Sequence, residues 1–222
     1  MSEASVGEIN VDPSPKPETI IDLYGIRKDR LIINGKELTD FHPDQKDFID
    51  ALATDDGEKL MASLISVDEL FGHFNTIMTE TDNRNDLIKE TSLVASTEMS
   101  SLNDRLMNTD KILIPSFELL TEMGKFDTLS GFYIYYETKL HEAGHFLDGL
   151  TKAGNINPDD FGVYTEVRQN YFSLQVLKLI SQRNDLPKAD IDKVKGLAIE
   201  TQNFLTHVGV RGLEPETSIN VL

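Results

Sequence analysis

The sequence predicts an α+β fold, mostly helical, with a small sheet. Three observations carry that expectation. Apolar residues recur at three- and four-residue spacing over most of the chain from Pro43 onward. A few short apolar runs, such as Asp110-Lys-Ile-Leu-Ile-Pro115, have the length and residue types of strands. From Pro43 onward, Pro43, Pro115, Pro158 and Pro187 fall at the ends of these segments rather than inside them.

Taken in order, residues 1–18 are polar and carry Pro13, Pro15 and Pro17, which predicts an extended lead-in. Thr19–Tyr24 and Asp29–Ile33 read as strands, and Asn34-Gly35 before Lys36–Leu38 is a hairpin signal, since both residues tolerate positive φ. From Pro43 the pattern is helical. Phe48, Ile49 and Leu52 share one face, Leu60, Met61, Leu64 and Ile65 another, and the spacing continues from Val67 through Met78. Residues 83–101 are polar and read as helix with a break.

Ile112–Ile114 forms an edge strand closed by Pro115. A short helix over Phe117–Met123 stops at Gly124, and Asp127 or Thr128 caps a long helix ending near Lys152. Pro158–Gly162 reads as a loop, followed by a helix over 163–183 and another, opened by Pro187, over 188–207. The chain divides into the lead-in, a region of hairpin and helices over 19–100 with no assigned role, a main unit over 101–210, and a tail over 211–222.

Composition narrows the chemistry. The 222 residues are enough to bury about 70% of the surface of the unfolded chain. With 21 Lys and Arg against 38 Asp and Glu, the formal net charge is −17, which argues against general nucleic-acid binding and against an anionic membrane surface. No apolar run approaches the ~20 residues that span a bilayer, and no signal peptide is visible, so a cytoplasmic location is expected, with export as an effector left open. The absence of cysteine excludes disulfides, thiolate metal sites and cysteine nucleophiles. A metal could be held only by the five histidines and the carboxylates.

Two of those histidines stand in His141-Glu142-Ala143-Gly144-His145. On a helix, positions i and i+4 lie one above the other, so both imidazoles can chelate one Zn2+ ion. Glu142 lies about 100° round the helix and reaches a metal-bound water rather than the metal, as a general base must. The alternative is a pair of exposed surface histidines, against which the neighbouring Leu140, Phe146 and Leu147 argue.

Zinc needs a third protein ligand. Glu166 is the preferred candidate, since two antiparallel helices joined by a loop would bring it beside the pair; Asp159 and Asp160 are rivals. A carboxylate near a helix N-terminus can equally serve the dipole. Asp148, one turn beyond His145, and Asn170, one turn beyond Glu166, are candidates for orienting the ligands or are simply solvated. Tyr164, Tyr171 and His207 are candidate oxyanion donors, each with a structural role as the alternative. His42 and His73 are assigned ordinary structural roles.

Asp110–Pro115, Phe126, Tyr135-Tyr136-Glu-Thr138-Lys-Leu-His141-Glu-Ala-Gly-His145 and Phe161-Gly-Val-Tyr164-Thr-Glu166 together resemble the metallopeptidase domain of ArdC-type antirestriction proteins and phage polyvalent proteins. That domain is itself similar to the wider ImmA/IrrE-like group of zinc metallopeptidases. The resemblance covers about residues 103–182 and includes Glu166, Asn170 and Phe172 in a Glu-x-x-x-Asn-x-Phe pattern. It implies a zincin-like fold of the gluzincin type, with His141, His145 and Glu166 as zinc ligands and Glu142 catalytic. The chain departs from the family at Leu147-Asp-Gly149, where Thr-Gly-His is usual, and shows no match to a nucleic-acid-binding region over residues 1–100.

The expected activity is zinc-dependent hydrolysis of a protein or peptide substrate, with one Zn2+ per chain. An extended substrate could add to the edge at residues 111–114. The alternative is an antirestriction or host-directed binding protein, with an acidic surface mimicking DNA and a structural zinc.

Overall fold

The computed structural model describes residues 38–54, 56–75, 78–85, 112–152, 158–210 and 213; the side chains of 112, 152 and 158–161 are outside that set. Among the described residues six helices and two strands follow in the order α1 (Pro43–Thr54), α2 (Gly57–His73), β1 (Met78–Thr81), β2 (Ile112–Pro115), α3 (Phe117–Gly124), α4 (Thr128–Lys152), α5 (Pro158–Ser181) and α6 (Lys188–His207). The protein is therefore mostly helical, with β1 and β2 paired in parallel, Met78 opposite Ile112 and Thr81 opposite Pro115. Among the described residues no helix is long and apolar enough to cross a membrane.

Local chemistry sets the ends of these elements. The Asp56 carboxylate accepts from the backbone N–H groups of Glu58 and Lys59 and caps α2. Ser116 caps α3 through Leu119 N–H. Lys125, not Gly124, takes the left-handed conformation that ends α3, with φ of 49°. Asp127 rather than Thr128 caps α4, accepting from Leu129 N–H at 3.0 Å. Its own N–H donates to Asp190 at 2.7 Å, which fastens the start of α4 to the start of α6.

Three expectations are corrected. Met78, expected to prolong a helix, opens β1; α2 closes at Phe74, whose N–H bonds back to Leu70 and Phe71, and the Met-Thr-Glu-Thr run that follows pairs with β2. Pro158–Gly162, expected as a loop, is the first turn of α5, because proline is well suited to a first helical position. Leu38, expected in a return strand, has helical backbone and is fully buried. The rest of the expected hairpin, the lead-in, most of 83–101 and the tail past residue 213 lie outside the described residues.

The long α5 is central. It packs against α6, α4 and α1, and buries Val163, Val167, Phe172, Leu174, Val176, Leu177 and Ile180. A helix enclosed on several sides shows little amphipathic contrast. From α4 come Tyr133, Ile134, Leu140 and Ala143, and Ile114 of β2 is fully buried in the same core. Met61 and Ile65, expected on a packed face of α2, are more than half exposed.

A polar cluster ties α2 and β1 to α4. The buried Lys139 ammonium lies 2.8 Å from Asp68 and 3.8 Å from Glu80. It sits over the rings of Phe71, Tyr135 and Tyr136 at 4.5, 5.0 and 5.4 Å. Tyr136 donates to Asp68 at 2.9 Å and Tyr135 donates to Glu80.

Candidate metal centre

His141 and His145 stand one turn apart on α4 and face α5. Their Nε2 atoms approach to 3.1 Å, and the Oε2 of Glu166, from α5, lies 3.4 Å from His145 Nε2. One ligand atom from each of the three residues falls within a 4.8 Å span. His145 is buried, while His141 and Glu166 are partly exposed, so the group opens toward solvent on one side. Such a group can hold a metal ion.

Burial pushes both histidines down to about 4, helped at His141 by the neighbouring His145; Glu166 offsets part of this at His141 and Asp148 part of it at His145. At neutral pH both rings are therefore uncharged. Glu166 is steadied by Asn170, whose side-chain nitrogen donates to its Oε1 at 2.8 Å.

Away from the shared centre, each imidazole meets a hydroxyl. His141 Nδ1 lies 2.8 Å from Ser173 Oγ, which in turn donates to the buried Glu137. His145 Nδ1 lies 3.1 Å from Thr165 Oγ1, which donates to Asp148 Oδ2 at 3.0 Å. Burial alone pushes Glu137 up to about 7, against partial relief from Ser173 and Thr138. Asp148 is also fully buried, yet the hydrogen bond from His42 at 2.9 Å, the charge of Arg168 at 3.1 Å and the Gln169 amide at 2.8 Å hold it below the usual carboxylate range. The two carboxylates differ because Asp148 is met by the Arg168 charge, whereas the relief at Glu137 comes from the hydroxyls of Ser173 and Thr138.

The helices carrying His141, His145 and Glu166 come together at Gly144. A Cβ there would overlap the side-chain amide of Gln169 and lie 2.6 Å from Gln45 Nε2. Gln45 fills the space instead, donating to Gln169 Oε1 at 2.6 Å and to the Leu140 carbonyl at 3.1 Å. Through Gln45 and His42, the segment around α1 supports the site.

The remaining sequence candidates have other places. Glu142 is half-buried on α4, next to the pair. Asp148 reaches His145 through Thr165. Tyr164 faces the Arg168 guanidinium at 6.0 Å, Tyr171 stacks on Phe41 at 6.1 Å, and His207 is exposed at the end of α6, outside the three-ligand group. His42 is buried against Asp148, and His73 is exposed, bonded to the Glu69 carbonyl. Asp159 and Asp160 begin α5, and their side chains are outside the described set. Sequence reading missed Glu137, Thr165, Gln169, Ser173 and Gln45. A signal existed for three of them: Thr165, Gln169 and Ser173 recur at four-residue spacing along one face of α5.

The fold and donor set thus define a helical protein with a His-His-Glu group able to hold a metal. No family model, curated protein or solved structure matches the chain.

Proposed function

We propose that the protein is a zinc-dependent peptidase with a zincin-like arrangement, in which His141, His145 and Glu166 hold the metal. One observation carries the reading: two uncharged imidazole nitrogens and a carboxylate oxygen converge within 4.8 Å. Bonds of 2.0–2.1 Å at a tetrahedral centre separate adjacent ligand atoms by about 3.3 Å. Two of the three separations, 3.1 and 3.4 Å, are close to that value, and the third lies within 4.8 Å. Nitrogen and oxygen donors without sulfur also suit this metal.

When bound, zinc supplies Lewis acidity that acidifies water and polarises a carbonyl. Glu142, beside His141 and not among the ligands, is the general base in this reading. It accepts the proton of the attacking water and delivers it to the departing amine. Asn170 holds Glu166 toward the metal.

The test is elemental analysis with two variants. Wild-type protein is expected to carry about one zinc per chain, and His141→Ala to lose it. Glu142→Gln is expected to keep zinc while hydrolysis of a denatured protein substrate falls by about 10²–10⁴. Wild-type protein without metal would overturn the reading. Retained zinc with hydrolysis indifferent to Glu142→Gln would make the metal structural.

A further inference from the structure

We infer that the hydroxyls of Thr165 and Ser173, each backed by a buried carboxylate, are positioning residues that keep a proton on Nδ1 of His145 and His141 and so turn both Nε2 lone pairs toward the metal position. The inference deepens the metal-site reading and rests on it for its purpose, while the proton placement itself is tested without metal.

Each hydroxyl has one proton to give. Asp148 is ionised and can only accept, so the Thr165 proton is committed to it at 3.0 Å. The Thr165 lone pair that remains faces His145 Nδ1 at 3.1 Å, and only an N–H there completes a hydrogen bond. Ser173 repeats the arrangement, with its proton on Glu137 and its lone pair on His141 Nδ1 at 2.8 Å. The carboxylate precedes its histidine on α4 in one relay, Glu137 before His141, and follows it in the other, Asp148 after His145. His141 takes its carboxylate from its own helix and its hydroxyl from α5, and His145 likewise takes Asp148 from α4 and Thr165 from α5. Both relays therefore form only when α4 and α5 dock.

The alternative is specific. A neutral imidazole without a lock can carry its proton on Nε2. One such Nε2–H would donate at 3.1 Å to the other ring, or from His145 toward Glu166 Oε2 at 3.4 Å, and so consume a lone pair that the metal needs. The two hydroxyl relays remove that competing hydrogen bond. Asp148 is met by Arg168 and His42, whereas Glu137 is relieved by the Ser173 and Thr138 hydroxyls, so the lock on His145 is the firmer of the two.

The experiment uses the full chain, metal-free, at pH 8, where Glu137 is mostly ionised. Nitrogen-15 spectra of labelled histidine report which ring nitrogen carries the proton. Wild-type protein is expected to show Nδ1–H at both residues. Thr165→Val should shift His145 toward Nε2–H, and Ser173→Ala should do so for His141. Zinc affinity, measured by chelator competition, should fall about 10–100-fold in each, as for other partners behind a ligand. Thr165→Ser and Ser173→Thr should restore both readouts. Ser173→Ala removes one oxygen and carries the test alone if Thr165→Val fails to fold. Nε2–H in the wild type, or unchanged tautomers in both variants, overturns the inference. Wild-type Nδ1–H without zinc binding would instead leave the relays standing and sink the metal reading.

Discussion

At the residue scale, Asp148 is the side chain on which most depends. It is fully buried and receives His42, Arg168, Thr165 and Gln169. Removing one partner from a buried charged network leaves the others unpaired in a poor solvent, at a cost of about 3–5 kcal/mol. Asp148→Ala is therefore expected to lower unfolding stability by that amount in urea titration, with or without metal. A loss below about 1 kcal/mol would show that the network is not formed. The sequence made His141, Glu142 and His145 legible because their relation is local, one helical turn. Asp148 was also within reach, one turn further on. Thr165 and Ser173 showed only as a spacing along α5, since a serine 32 residues from a histidine meets it only through the crossing of two helices, and Glu137, one turn before His141, reaches that ring only through Ser173.

At the element scale, α4 is a two-sided rod. One side presents the histidines to α5, and the other is fastened through Lys139 to α2 and β1. The Lys139 partners Asp68 and Glu80 keep about half of their side-chain surface in water. Losing the ammonium leaves them solvated rather than stranded. Lys139→Met, which keeps the stem against the three rings, is expected to cost only about 1–2 kcal/mol. Lys139→Ala, which also empties the space, should cost more. Equal losses in the two variants would mean that charge outweighs packing here. Helix ends were readable where a side chain does the capping, as at Asp127, or where proline opens the helix, as at Pro187. They were misread where one residue serves two signals. Pro158 marks a loop or a first helical turn equally well, and Met78 continues an apolar period while entering a strand only four residues long.

At the scale of the whole molecule, the buried titratable groups set the response to acid. In the metal-free protein, His141 and His145 bind protons at about 4, against a reference value of 6.5. Between those values the unfolded chain holds more protons, so stability rises with pH. Glu137 acts the other way, because the folded chain keeps its proton to about 7 and the reference value is 4.5. Two groups oppose one over most of the same interval. Net stability should climb from about pH 4.5 to 6.5 and dip slightly toward 7. Urea midpoints across this range check the sign, and a profile that falls throughout would contradict a neutral, buried pair. The helical class was legible from periodicity alone. The support given by α1 was not, since Gln45 and His42 look like ordinary surface residues until α1 docks.

The close approach at Gly144 bears on mutational tolerance. In a His-Glu-x-x-His motif the two middle positions are written as free. Here neither is: Ala143 is 1% exposed, and a side chain at 144 would strike Gln169. A saturation library at these two codons, selected for folded protein, should return glycine almost alone at 144 and only small residues at 143. Larger residues recovered freely at 144 would mean that the Gln169 and Gln45 side chains give way there. The motif in this chain is thus also a packing surface, its two middle positions filled by contact rather than left open.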